Sequence, residues 1–538
     1  MRARTLRIHP GDNVEVALTP LARGTRIAPG CVTLEPVPAK HKVCTKAVAA
    51  GTHVIMYGIP VGQALCDLQS GMQLTRKRIR HDTASYEVRA GHYAWLSPDV
   101  SPWASHTFDG FHRSDGQVGT ANHWLTLPLV FCENRNVDVL RRAFEDELGY
   151  SRVSPYRQQV AALAQSYRTG HTLNKMRPTT QTQVFPHVDG IHFLTHQGGC
   201  GGSRQDARTL CGLFAGYLHH PNVGGATLLS LGCENAQIDL LMEELAHRNP
   251  DFDKPLLVYR QQDFSSADRL LTQAINETFE GLKLINQQRR APAPLSRLTL
   301  GLECGGSDGF SGISANPAIG HASDLMVELG GRTILAEFPE LCGVEQALID
   351  RCGSIEVASR FASIMRDYAA LAEAVGTGFE MNPSPGNIRD GLLTDAMKSA
   401  GAARKGGTAP IAAVLDYPEY ATASGLNLLC TPGGDVESTT GLAGAGAQII
   451  LFSTGMGTPT GNPVAQVIKI SSNSGVALRL PDLIDLDAGG IIAGQATIEE
   501  TGEAIMELVI RVASGTETTR ASRLRQHDFI PWKRGVSL

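Results

Sequence analysis

The chain has 538 residues, 42% of them hydrophobic and 19% charged, with a formal net charge of −5. These proportions fit a soluble globular protein of several domains, since one core stops growing near about 250–300 residues. They exclude a strongly basic nucleic-acid binder, and no apolar run approaches the roughly 20 residues of a membrane-spanning helix.

The basic start, MRARTLRIHPGDN, lacks the apolar stretch of a secretory signal. Eleven scattered cysteines without a C-x-x-C pair argue against a disulfide framework or a structural zinc site. We expect reduced thiols, a cytoplasmic setting, no nucleic-acid or membrane partner, and a homodimer as the assembly.

Residues 1–75 hold short strand-like stretches such as VEVAL, TRIAPG and THVIMYGIPVGQAL, densely punctuated by glycine and proline. They predict a small β domain. Residues 76–110 read as a connector, and its cluster Arg76-Lys77-Arg78-Ile79-Arg80 reads as a solvated basic face. From about residue 118 the style changes. VGTANHWLTLPLVFCENRNV is a strand running into a polar loop, and VDVLRRAFEDELG has helical apolar spacing. Strands then alternate with helical segments, which predicts parallel α/β structure over 111–290. A break at INQQRRAPAPLS precedes a second α/β domain over 291–538.

Six strand ends share one pattern. GIHFLTHQGGCGGSRQD, ATLLSLGCEN, LTLGLECGGSDG, TILAEFPE, LNLLCTPGGD and QIILFSTGMGTPTG each pass from an apolar strand into a glycine-rich or polar loop. Ligands of parallel sheets bind outside the carboxyl ends of strands, so these loops are the candidate site. Cys200, Cys233 and Cys304 lie in them. Thiolates there can ligate a soft metal, hold an iron–sulfur cluster or act as nucleophiles. His196 is a candidate metal ligand or proton carrier. Arg204 can clamp a carboxylate, and Asp206 reads as a helix cap. Glu234, Asn235, Glu303, Ser307 and Asp308 offer oxygen ligands or acid–base groups. The rigid MNPSPGN stretch can present Asn382, Ser384 and Asn387 to a polyol. Thr454 sits in a hydroxyl-rich loop, and Lys398 and Lys469 are candidates for a base or a carboxylate partner. No G-x-x-x-x-G-K-[ST] or strand-anchored G-x-G-x-x-G occurs, which argues against nucleotide binding.

DNVEVAL, YGIPVGQAL, VGTAN, THQGGCGG, HPNVGGATLLSLGCEN, GLECGGSDGFSGISANP, NPSPGN, GLNLLCTPGGD, LFSTGMGTP, KISSNS and WKRGVSL occur in this order. Together they resemble the altronate and galactarate dehydratase family of sugar-acid hydro-lyases. The resemblance implies a SAF-type β domain followed by two α/β domains. It also implies loss of water from a sugar acid to give a 2-keto-3-deoxy acid, with Fe2+ or Mn2+ as cofactor. Under it, His196, Glu303, Asp308 and Lys398 are the catalytic candidates, and Cys200, Cys233 and Cys304 the metal candidates. Arg204, Asn235, Ser307, Asn382, Ser384, Asn387, Thr454 and Lys469 are the substrate candidates.

Three departures stand out. Thr75-Arg76-Lys77-Arg78 replaces His-x-His-Asn, and Met456 replaces an arginine. Asp395-Ala396-Met397-Lys398-Ser399-Ala400-Gly401-Ala402 keeps the lysine of its family segment but loses an acid and a cysteine. They predict a poor dehydratase of altronate or galactarate. The rival readings are another enediolate reaction, as in a lyase or epimerase, and a sugar-acid-binding protein without catalysis.

Overall fold

The computed structural model describes residues 4–89, 93–150, 155–170 and 182–537. They fall into two compact units, Phe111–Arg290 with Lys533–Leu538, and Met1–Gly110 with Ala291–Trp532. No helix among the described residues is long and apolar enough to cross a membrane.

The first of these units is built on a four-stranded parallel sheet. Its strands are β1 (His123–Pro128), β2 (Gly190–Phe193), β3 (Val223–Ser230) and β4 (Leu256–Arg260), in the order β2-β1-β3-β4. β1 and β3 are buried along their whole length, as parallel strands covered on both faces must be. Helix α1 (Arg204–His219) connects β2 to β3. Ser203 is its N-cap, and Asp206 closes a capping box with it. Asp206 also accepts from the amides of Arg534 and Gly535.

The other unit joins the N-terminal β segment to the larger α/β region. Val14–Ala17 pairs antiparallel with Thr5–Leu6 and Lys42–Cys44, and His53–Met56, Ile59–Ala64 and Ile79–Arg80 form a second antiparallel sheet. Its basic cluster is used structurally, because Arg76 donates to Leu393 O and Arg78 pairs with Glu35. The α/β region carries seven parallel strands: β5 (Thr299–Cys304), β6 (Arg332–Leu335), β7 (Ile411–Leu415), β8 (Gly425–Leu429), β9 (Ile449–Thr454), β10 (Gln466–Ser471) and β11 (Leu486–Asp487). The order is β7-β8-β6-β5-β9-β10-β11. The chain leaves β5 for β6 on one side and returns to β9 on the other. Open parallel sheets bind ligands in the crevice at such a reversal, which here falls at the carboxyl ends of β5 and β9. The helices of this region include α2 (Ala315–Glu328), α3 (Asp395–Ala402) and α4 (Asp435–Gly444).

One apolar core unites this region with the β segment. Val14, Val16, Val54, Met56, Val61 and Ile79 pack with Phe310, Ile313, Leu393 and Met397. Lys42 is buried beside this junction, where its ammonium donates to Lys40 O (3.1 Å) and Gly391 O (2.6 Å).

Burial pulls Lys42 down to about 7 from its ordinary 10.5, with Asp308 opposing. Between those values the unfolded chain binds the extra proton. Stability from this group therefore rises with pH across that window. Lys42→Met removes the slope. In denaturant titrations at pH 7, 8.5 and 10, the wild type should gain stability relative to Lys42→Met at each step. A difference independent of pH would contradict the assignment.

Candidate functional site

The crevice is assembled from loops that follow the parallel strands. Gly305 N donates to Ser453 O (3.0 Å), and Gly455 N donates to Gly306 O (3.1 Å), so the turns after β5 and β9 lock together. A Cβ on Gly305 would stand 2.0 Å from Asp435 Oδ2, so only glycine lets the first acid of α4 reach this position. Gly306 takes a left-handed turn at φ +60°.

At the bottom of the crevice lies a buried cluster. Cys304 ends β5, and Glu337 and Glu340 follow β6. One ligand atom from each lies within 4.8 Å of the others, a set that could hold a metal ion. Lys405 reaches in with its Nζ 2.9 Å from Cys304 Sγ and 2.7 Å from Glu337 Oε2. Lys398 pairs with Glu340 and donates to Asn382 Oδ1 at 2.7 Å. A hydroxyl chain closes the cluster from behind: Glu337 N donates to Thr431, Thr431 to Ser438, and Ser438 to Glu303 Oε2. Glu337 adopts a left-handed backbone (φ +68°), which costs on the order of 1–3 kcal/mol outside glycine and marks strain at the site.

The electrostatics follow from this burial. Glu303 is driven well above the carboxylate range by burial, then by the charge of Glu337. Burial also raises Glu340 and the Cys304 thiol. Asp435 is pushed up to about 7 by burial, with Glu337 and Glu340 adding to it. Burial works against the charge on Lys405, but Cys304 and Glu337 overcome it and hold the ammonium.

Glu303 Oε1 and Glu337 Oε1 are buried without a donor. Two lysines face four carboxylic acids, so the cluster lacks two positive charges when all four are ionised. A divalent cation or two protons would restore the balance. One thiol with carboxylate oxygens suits a borderline transition metal. The residues therefore fit the divalent metal expected from the resemblance noted in the sequence.

The other predicted residues of this unit lie around the cluster in varied employment. Asp308 accepts from six donors: Phe310 N, Ser311 N, Ser311 Oγ, Ser472 Oγ, Asn473 Nδ2 and Lys40 Nζ. Ser384 and Asn387 form a capping box for a short helix, and Asn387 Nδ2 donates to Ser307 O at 2.8 Å. Thr454 Oγ1 accepts from the amides of Met456, Gly457 and Thr458. Lys469 donates to Thr458 O (2.7 Å) and is lowered to about 8 by burial. Met456 is 39% exposed and lies beside Gly306, where an added Cβ would stand 3.2 Å from the methionine's own Cβ.

Cys200, Cys233, His196, Arg204 and Asn235 belong to the unit containing β1–β4, whereas Cys304 belongs to the other. Within the former, two loops meet. Asn235 N donates to Gly199 O at 2.8 Å, and Asn235 Nδ2 donates to Gly202 O at 3.3 Å. A Cβ on Gly199 would stand 2.0 Å from Leu129 O, so the GGCGG turn is glycine by necessity. Cys200 and Cys233 are exposed in these loops, and Arg204 is exposed in the first turn of α1. His196 uses both ring nitrogens on backbone. Nδ1 accepts from Gly198 N (3.0 Å), which puts the proton on Nε2, and that group donates to Pro128 O (2.7 Å). Burial lowers it to about 4.

Sequence reasoning missed Glu337, Glu340, Asp435, Lys405 and Lys40. The first three stand in strand-end stretches already singled out, TILAEFPE and LNLLCTPGGD. Their signal was an acid at a strand end. Lys405 and Lys40 carry no local signal.

Comparison with known proteins agrees with this arrangement. The chain matches the altronate/galactarate dehydratase SAF domain over residues 3–82. It matches the second domain of D-galactarate dehydratase/altronate hydrolase over 110–286, and the D-galactarate/altronate dehydratase C-terminal domain over 295–537. It is 32% identical to altronate dehydratase of Escherichia coli, with 99% of each chain covered. It is 31% identical to altronate dehydratase of Bacillus subtilis, with 95% of each covered. A galactarate dehydratase (L-threo-forming) of Escherichia coli is 28% identical, over 97% of this chain and 95% of its own. The end-to-end likeness places this chain in the altronate/galactarate dehydratase family of hydro-lyases.

Proposed function

We propose that this protein is a metal-dependent dehydratase that removes water from an aldonate or aldarate to give a 2-keto-3-deoxy acid. The observation that carries this reading is the buried Cys304–Glu337–Glu340 set, with its two lysines, at the carboxyl ends of β5 and β6. Fe2+ or Mn2+ is the expected ion, held by those three residues. When bound, it would stabilise negative charge developing on the substrate carboxylate.

The chain's own groups do the rest. Asp435, at about 7, can take or release a proton near neutrality, and we assign it proton exchange with the substrate. Lys398 stays charged against Glu340 and faces Asn382, which sets a fixed positive charge beside the substrate. A base removes the proton on C2, the bond from C3 to its hydroxyl breaks with protonation of the leaving oxygen, and the resulting enol becomes the 2-keto acid. Asp308 and His196 hold loops in this scheme, because their acceptors and donors are already taken. Within the other unit, Cys200 and Cys233 remain candidate metal-binding thiols, and Arg204 and Asn235 candidate sugar-acid contacts.

One observation favours a second reading. Part of the chain (79%) is 27% identical to 96% of a protein named (2R)-sulfolactate sulfo-lyase subunit beta from Chromohalobacter salexigens. With Met456 beside Gly306, a leaving group other than hydroxyl would use the same C2 proton abstraction.

Protein purified without oxygen should retain a divalent transition metal by elemental analysis. Glu340→Gln and Cys304→Ser should each lower the retained metal by about tenfold or more. Glu303→Gln, outside the donor set, should keep it. Equal metal in all four proteins would place the ion elsewhere. Product analysis across aldonic and aldaric acids should show loss of one water, with efficiency on altronate and galactarate below about 10⁴ M⁻¹s⁻¹.

Gly305→Ala should displace Asp435 and lower turnover by about 10²-fold or more while the protein stays folded. Asp435→Asn should cost a similar factor. The double variant should be little worse than either, because the two substitutions disable one element. Multiplied losses in the double variant would separate Gly305 from Asp435.

A further inference from the structure

The N-terminal β segment does more than cover the α/β region. Lys40 stands at the tip of its Pro38–His41 turn with φ +73°, a left-handed conformation that a lysine adopts only when held there. Its Nζ lies 3.0 Å from Asp308 Oδ2 and 2.9 Å from Asp390 Oδ2. Asp308 is fully buried in the loop after β5, and Asp390 ends the MNPSPGN helix. One ammonium thus ties together the two loops that flank the crevice.

The backbone repeats the clamp. A Cβ on Gly309 would stand 2.5 Å from Lys40 O, and one on Gly391 would stand 2.5 Å from the same oxygen. Both glycines are needed to admit the turn. Gly309 N donates to Asp390 O (2.9 Å), so the two loops meet where Lys40 enters. The apolar core shared by the β segment with Phe310, Ile313, Leu393 and Met397 lies directly behind.

We propose that Lys40 is a positioning residue of the site, supplied by the N-terminal β segment, which pins the 305–310 loop through Asp308 and joins it to the 384–391 loop through Asp390. The loop carries Ser307 and the glycine against which Asp435 packs. Slack in it would move the acid and the crevice wall together. The contribution to catalysis rests on the dehydratase reading, and the contribution to loop order does not.

The experiment uses the full-length protein. In Lys40→Ala, amide hydrogen exchange should speed by about tenfold or more over 305–310 and 389–391, and remain unchanged over β7 to β10. Ethylammonium should restore protection saturably, and Lys40→Arg should lie between. Lys46→Ala, an exposed lysine of the same segment, should match the wild type with or without the amine. With a sugar acid that is turned over, kcat should fall by about tenfold or more while KM changes by less than about threefold, and ethylammonium should recover kcat. Unchanged exchange in Lys40→Ala, or faster exchange spread over the whole unit without amine rescue, would overturn the proposal. Local loosening with rescue, in a protein that turns over no sugar acid, would uphold Lys40 and remove the dehydratase reading.

Discussion

The burial of Lys405 is the constraint on which the rest of the site depends. Its side chain is 1% exposed, and taking an ammonium out of water costs several kcal/mol unless it is surrounded by opposite charge. Glu337 supplies that charge, and the Cys304 sulfur accepts a hydrogen bond from the same ammonium. Their presence fixes the end of β5 and the left-handed turn after β6. Once these acids are gathered, their excess over the lysines needs its own compensation. A buried array of this kind is poor at stabilising a fold compared with a packed apolar core. Its retention points to chemistry.

The surrounding architecture serves that array from two directions. From the sheet, strand ends deliver acids and a thiol at fixed spacing, and hydroxyls of Thr431 and Ser438 stitch adjacent strands behind them. From outside, α3 and the turn after it bring Lys398 and Lys405, and the β segment brings Lys40. Among the described residues other than glycine, positive φ angles occur at Lys40, Tyr57, Glu337 and Arg525. Two of those four belong to this machinery, where strain is expected to gather.

The fold was largely legible from the chain. Parallel strands covered on both faces read as apolar runs, and their polar ends read as loops, so β2, β3, β5, β6, β8 and β9 could be anticipated from composition. Cys304, Ser307, Asp308 and Thr454 were visible for the same reason. Asp435 was hidden because an acid in the first turn of a helix has a routine electrostatic explanation. Glu337 and Glu340 lay in a noted stretch but lacked the recurrent spacing that distinguishes a ligand from a solvated acid. Lys405 could not be read at all, since its thiol partner lies 101 positions away. Ser384 and Asn387 show the reverse effect. Residues that looked addressed to a ligand are capping short-range backbone groups, a use that the same residue types favour for local reasons.

The long reach of the β segment has a consequence for how the protein is made. Lys40 and Asp390 are 350 positions apart, and the apolar partners Phe310, Ile313, Leu393 and Met397 also lie far downstream of the first strands. At about 5–20 residues per second, a ribosome needs roughly 20–70 s to deliver them after the first strands have emerged. For that interval, Val14, Val16, Val54 and Met56 have no completed core to enter. The nascent chain carries an unfinished apolar surface through most of its synthesis, and closing it last makes the N-terminal strands among the final elements to reach their native packing.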